Sequence, residues 1–152
     1  KDHSQYAFLA DVPEAIIETY KKKLSGKVYQ RALYVSRENA RTLHAAELIQ
    51  KGDIQGFGTL MYQTHEGLSK SYEVSCAELD FLVDLSKDLP QVVGSRMMGG
   101  GFGGCTINLV KEGFVNEFVD LASKAYKEQF DINLTSILVA TSNGVETTKS
   151  ES

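Results

Sequence analysis

Six of the 13 glycines fall between Gly94 and Gly104, and five of the six residues from Gly99 to Gly104 are glycine. Such a run costs backbone entropy on folding, and in return its main-chain amides can approach a phosphate or another backbone closely. Three phosphate chemistries fail on context. Gly99-x-Gly101-x-x-Gly104 has the spacing of a dinucleotide fingerprint, but that motif must open a helix, and here the two-residue alternation of Cys105 to Val110 follows. No Lys-Ser or Lys-Thr follows Gly104, which removes a Walker loop. The strand lysine, HRD and DFG of protein kinases are also absent. On the loop alone, a phosphate-associated role and a wide structural hairpin both remain open.

Other residues capable of chemistry are sparse. Arg96 is the only cation between Gly94 and Gly104. It either counters phosphate charge or pairs with a carboxylate inside the domain, and the pairing is favoured. Cys105, at an inward strand position, reads as a small buried hydrophobe rather than a nucleophile. His65 has no evident partner, which favours a structural or solvent-facing residue over a general base. Lys27, Arg31, Arg37 and Arg41, with Glu38 among them, form a solvated, ion-paired face, and Asn39 on the apolar side of the same segment needs a hydrogen-bond partner. Two cysteines without a CxxC and three histidines suggest neither a disulfide framework nor a zinc site.

The elements that must position these residues follow from period and caps. Asp11 with Glu14 reads as a capping box opening a helix to about Leu24. Val28, Ala32, Val35, Leu43 and Ala46 hold one helical face from Lys27 until Gly52 stops it, and Asp53 caps a third helix through Leu68. Ser75 with Glu78 reads as a second capping box, for a helix that Pro90 ends. Then Val92 to Met97 reads as a strand, Gly99 to Gly104 as a loop, Cys105 to Val110 as a strand and Phe114 to Phe130 as a helix. Ser136 to Thr141 and Val145 to Thr148 read as a hairpin about Asn143-Gly144. Helices first, then β-loop-β-α-β-β, argues an α+β fold with an antiparallel sheet covered by helices on one face. A net charge of −4 gives no drive toward nucleic acid, no run is apolar enough to span a membrane, and the cysteine usage fits a reducing cytosol. The chain opens Lys1-Asp2-His3, which is read as a piece of something longer.

Gly94 to Val110, GSRMMGGGFGGCTINLV, closely resembles the third signature of galactokinases, GSRMTGGGFGGCT, in the GHMP small-molecule kinase superfamily that includes homoserine and mevalonate kinases. Leu60 to Val83 resembles the family's SHxSLRxxYEVSCPELDxLV stretch, Arg31-Ala32 with Glu38 and Arg41 its RAxxVxxExxR helix, and Ser142 to Val145 its DGv hairpin. Met98 departs from the usual Thr, Ala77 from Pro, and Gly67 and Ser69 from Ser and Arg. The GEHTDY and LSSSA signatures are absent.

The resemblance therefore implies the carboxy-terminal domain only: residues 1–152 as a single domain, of ferredoxin-like type, from a larger two-domain chain. It implies an intact kinase that moves the γ-phosphoryl of ATP, with Mg2+, to the anomeric hydroxyl of galactose. On the resemblance, the catalytic residues, the sugar contacts and most nucleotide contacts belong to the missing amino-terminal domain, and no metal ligand is expected in this one. This half supplies the phosphate-proximal loop Gly99, Gly100, Gly101, Phe102, Gly103 and Gly104, with Ser95, Arg96 and Met98 at its root. The fragment alone is expected to be inactive, to bind no ATP or Mg2+ itself, and to self-associate through its exposed domain interface. A related aldose or N-acetylgalactosamine kinase, or a non-catalytic galactokinase-like sugar sensor, is the other reading. Nucleic acid and membrane are not expected partners, and the location implied is cytoplasmic.

Overall fold

The computed structural model describes residues 5–141. A 3₁₀ turn, Leu9–Asp11, leads to a short helix α1 (Glu14–Thr19), the long α2 (Gly26–Gln50) and α3 (Ile54–Glu66). A π-helical turn, Gly67–Tyr72, connects to α4 (Ala77–Lys87); the strands β1 (Val92–Met98) and β2 (Cys105–Val110) follow, then α5 (Val115–Phe130). The order of helices, strand, loop, strand and helix is as the sequence predicts.

Several helix ends do what their residues dictate. Ser25 Oγ accepts from the Val28 amide at 3.4 Å, and Asp53 Oδ1 accepts from the Gly56 amide at 2.8 Å, so each caps its helix. Gly52, at φ +73, takes the left-handed turn that stops α2. Two expected capping boxes differ. Asp11 folds back instead, its Oδ2 accepting from the Phe8 amide at 3.1 Å, and the residue before α1 is Pro13. Ser75 is drawn away from the helix start by Asp80, to which its hydroxyl donates at 2.6 Å, and Cys76 begins α4 with no side-chain cap.

The sheet is one antiparallel pair in which Gly94 faces Leu109, Ser95 faces Asn108, Arg96 faces Ile107 and Met98 faces Cys105, with the register shifted around Val93. That extra residue is a bulge, and α3 docks on it. Gly58 of α3 and Gly94 of β1 meet there without side chains. A β-carbon on Gly58 would lie 2.7 Å from Val93 Cγ1, and one on Gly94 would lie 2.6 Å from Gly58 Cα. A second core gathers Val92, Phe114, Phe118 and Ala122, with Leu82, Leu85, Leu89, Val110 and Leu134 packed against it, and so binds α4, α5 and the open end of the hairpin.

Among the described residues Ser136 to Thr141 carries no strand pairing, and Ile137 and Leu138 are 81% and 83% exposed. Periodicity marks a segment able to join a sheet, but a strand needs a partner edge. The expected partner, Val145 to Thr148, and the Asn143-Gly144 turn lie outside the described residues.

Candidate functional site

β1 and β2 present the glycine loop at their joint end. Gly99, Gly101, Gly103 and Gly104 have φ of +88, +86, +124 and +98, and Phe102 joins them at +58. For a residue with a β-carbon the left-handed region costs roughly 1–2 kcal/mol, so Phe102 needs compensation. Its amide donates to the Val74 carbonyl at 2.7 Å, while its ring stands 77% exposed. Gly101 lies flat on the same seat, where a β-carbon would collide with the Val74 carbonyl oxygen. Around Gly99, Gly100 and Gly103, by contrast, an added β-carbon would meet nothing within 4 Å.

The seat has its own strained residue. Glu73, at φ +61, ends the π-helical turn and turns Val74 toward the loop. Its carboxylate accepts from Lys27 Nζ and Arg31 Nη2, both at 3.1 Å, and these bonds hold its carboxyl below the usual range. The cationic face of α2 is thus ion-paired as expected, Arg37 with Glu14 and Arg41 with Glu38 completing it. Asn39 finds its partner in the Ala10 carbonyl, 2.9 Å away.

Behind the loop, His65 is buried at 3% exposure. Its Nδ1 accepts from the Met97 amide at 3.1 Å, and its Nε2 faces Asp80 Oδ1 at 3.1 Å. A ring nitrogen that accepts cannot carry the proton, so the hydrogen-bond pattern assigns the proton to Nε2. Burial lowers the imidazole's pKa below its ordinary value, outweighing Asp80. A neutral, structural histidine is thereby favoured, which agrees with the reading of this residue as structural and goes against a solvent-facing one.

The loop-root residues scatter. Ser95 is wholly buried and its hydroxyl donates to Asn108 Oδ1 across the hairpin at 2.6 Å, leaving it no route to a ligand. Arg96 points toward α2 and α3, lining with Glu38, Arg41 and Thr64 a cavity of about 260 Å³. There it donates to the Met97 carbonyl at 3.2 Å and makes no ion pair with the described residues, because Glu38 is already engaged by Arg41 and Thr64. The expected carboxylate partner is not found among the described residues. Met98 is 44% exposed at the loop mouth, and Cys105, paired opposite it, is exposed rather than inward. The alternation of Cys105 with Ile107 and Leu109 suggests an inward thiol, yet at the loop end both members of the Met98–Cys105 pair are exposed. Of the expected site residues, only Met98 and the Gly99–Gly104 loop face outward together. Val74, Asp80 and the left-handed Glu73 fall in the stretch that resembles SHxSLRxxYEVSCPELDxLV, but no local rule in the sequence places them beside the loop.

Met98→Thr is expected to change stability by no more than about 0.5 kcal/mol in a denaturant titration, since an exposed loop-mouth side chain loses little on shortening.

These features define the class. Residues 45–127 match the model of the family described as GHMP kinases C terminal, and the chain belongs to that family. Within it the similarity is to galactokinases. The chain is 39% identical over 125 residues to a galactokinase of Thermotoga petrophila, covering 82% of this chain and 36% of that protein. It is 44% identical over 103 residues to a galactokinase of Bos taurus, covering 68% and 26%. The fold superposes on a crystal structure of Lactococcus lactis galactokinase complexed with galactose with a TM-score of 0.80 at 29% identity, over 84% of this chain and 33% of that one. The chain thus spans about a third of the length of the proteins it matches. Among the described residues, no helix is long and apolar enough to cross a membrane.

Proposed function

We propose that residues 1–152 form one domain of a galactokinase, which lends its glycine loop to a site where the ATP γ-phosphoryl passes to the anomeric hydroxyl of galactose. The observation that carries this reading is the loop itself. Gly101 and Phe102 are locked onto Val74, while Gly99, Gly100 and Gly103 keep open space beside bare backbone. A structural hairpin has no use for that combination. A site that must close tightly around phosphates does, because positioning and fixed dipoles supply most of the catalysis in phosphoryl transfer.

On this reading the nucleotide and its magnesium are held mainly outside residues 1–152. No three His, Cys, Asp or Glu side chains group closely enough to bind a metal among the described residues. The loop carries no cationic side chain, and Arg96 faces the other way. The base, the sugar contacts, ATP and Mg2+ belong on this reading to the rest of the protein, which is also the partner for Phe102, Met98 and the other exposed apolar residues. The purified chain is therefore expected to self-associate in sedimentation. Free cysteines and a mildly acidic composition fit a cytoplasmic enzyme.

The test is direct. The isolated chain, incubated with galactose, ATP and Mg2+, is expected to yield no sugar phosphate, and the full-length protein to yield it. Sugar phosphate made by the isolated chain would overturn the division of labour. A full-length protein that binds galactose and ATP without turnover would be a sensor, and one that prefers N-acetylgalactosamine or another aldose would be a related kinase.

A further inference from the structure

His65 and Asp80 stand where four segments meet. The imidazole leaves the last turn of α3 and takes the Met97 amide at the end of β1, one residue before the loop mouth at Met98. Its other nitrogen meets Asp80 Oδ1 at 3.1 Å. The same carboxylate accepts from Ser75 Oγ at 2.6 Å and from Ser69 Oγ at 2.9 Å. Ser69 belongs to the π-helical turn and Ser75 directly follows Val74, so the two hydroxyls bracket the stretch that carries the loop's seat. One side of the pair thus holds the strand from which the loop departs. The other holds the carbonyl on which it lands.

We propose that His65 and Asp80 are positioning residues that fix the glycine loop against Val74, and so set its placement for the phosphoryl transfer proposed above, on which the functional half of this inference rests. Neither residue reaches a reacting atom. His65 is buried and both ring nitrogens are engaged, so it cannot act as a general base. Its bond to Met97 also occupies a strand amide that points away from β2, which keeps the loop's departing strand from shifting along α3. The Phe102 amide bond to Val74 spans both held sides, and it reports whether they stay in register.

Two conservative variants cut the two sides separately. In His65→Gln the longer amide reaches Asp80 but gives up the acceptor at Met97; in Ser75→Ala the seat loses the nearer of its two ties to Asp80 while the His65 side chain is unchanged. Hydrogen exchange of the purified chain is expected to show the Phe102 amide exchanging on the order of tenfold faster in each, with the Val83 and Ala122 amides unchanged, since a net hydrogen bond is worth about a factor of ten. Nitrogen shifts of His65 are expected to show the Nε2–H tautomer. An unchanged Phe102 amide in both variants, or one that rises only in step with Val83 and Ala122, would overturn the proposal, because a purely structural pair moves all amides together. In the full-length protein both variants are expected to lower kcat severalfold with the KM for sugar unchanged. Faster exchange at Phe102 without a kcat change would leave the linkage standing and refute its role in turnover, while absent activity in the parent protein would refute the kinase reading alone.

Discussion

Gly94→Ala is expected to cost about 3 kcal/mol and to lower Tm on the order of 10 °C. The new methyl would lie 2.6 Å from Gly58 Cα, 2.8 Å from Gly58 O and 2.9 Å from Met61 Sδ. Two of those three neighbours are backbone, so no rotamer change relieves the overlap, and α3 must move off the bulge at Val93. Gly58→Ala presses on the same crossing from the other side, against the Val93 carbonyl, and should cost as much. Because both substitutions separate the same two elements, the double variant should lose clearly less than the sum of the two. Thermal melting of the four proteins decides it. A Gly94→Ala protein within about 0.5 kcal/mol of the parent would mean that α3 does not rest on the strand backbone.

The second large effect is a contrast inside the loop. Gly101→Ala must place a β-carbon at φ +86 and into the Val74 carbonyl, and is expected to cost about 2 kcal/mol, the strain of a left-handed residue plus the lost seat. Gly100→Ala, one residue earlier, has neither a positive φ nor a neighbour within 4 Å, and is expected to be neutral within about 0.5 kcal/mol. Denaturant midpoints separate the two. Equal losses would mean that the loop does not lie on Val74 in solution.

That contrast shows how far the sequence could be read. Helices α2, α3 and α5 and both strands follow from local rules, namely the apolar period, the Asp53 cap and the Gly52 stop, and they appear within a few residues of their expected bounds. The outcomes that differ depend on contacts distant in sequence. Asp11 and Ser75 have the chemistry of caps, but each has a better bond available, to the Phe8 amide and to Asp80. His65 looks partnerless because its partners are Asp80, fifteen residues on, and a strand amide. The glycine cluster announces close approach to something. It does not say that Gly101 serves packing while Gly100 leaves its space open, because that division depends on where Val74 lies. Arg96 shows the converse, a cation whose sequence position suggests the loop and whose side chain turns to the helices.

The central claim, that the open part of the loop serves turnover rather than the fold, is tested most directly by Gly100→Val in the full-length protein. A β-carbon there meets nothing within 4 Å, and the branched side chain it carries would stand in the way of anything that must approach the loop backbone. The account predicts an unchanged Tm with kcat for galactose phosphorylation reduced at least about tenfold, since small misplacements around a transferring phosphoryl cost that much or more. A folded variant with the parent's kcat would contradict it, and would leave the glycine loop as a hairpin built only to pack on Val74.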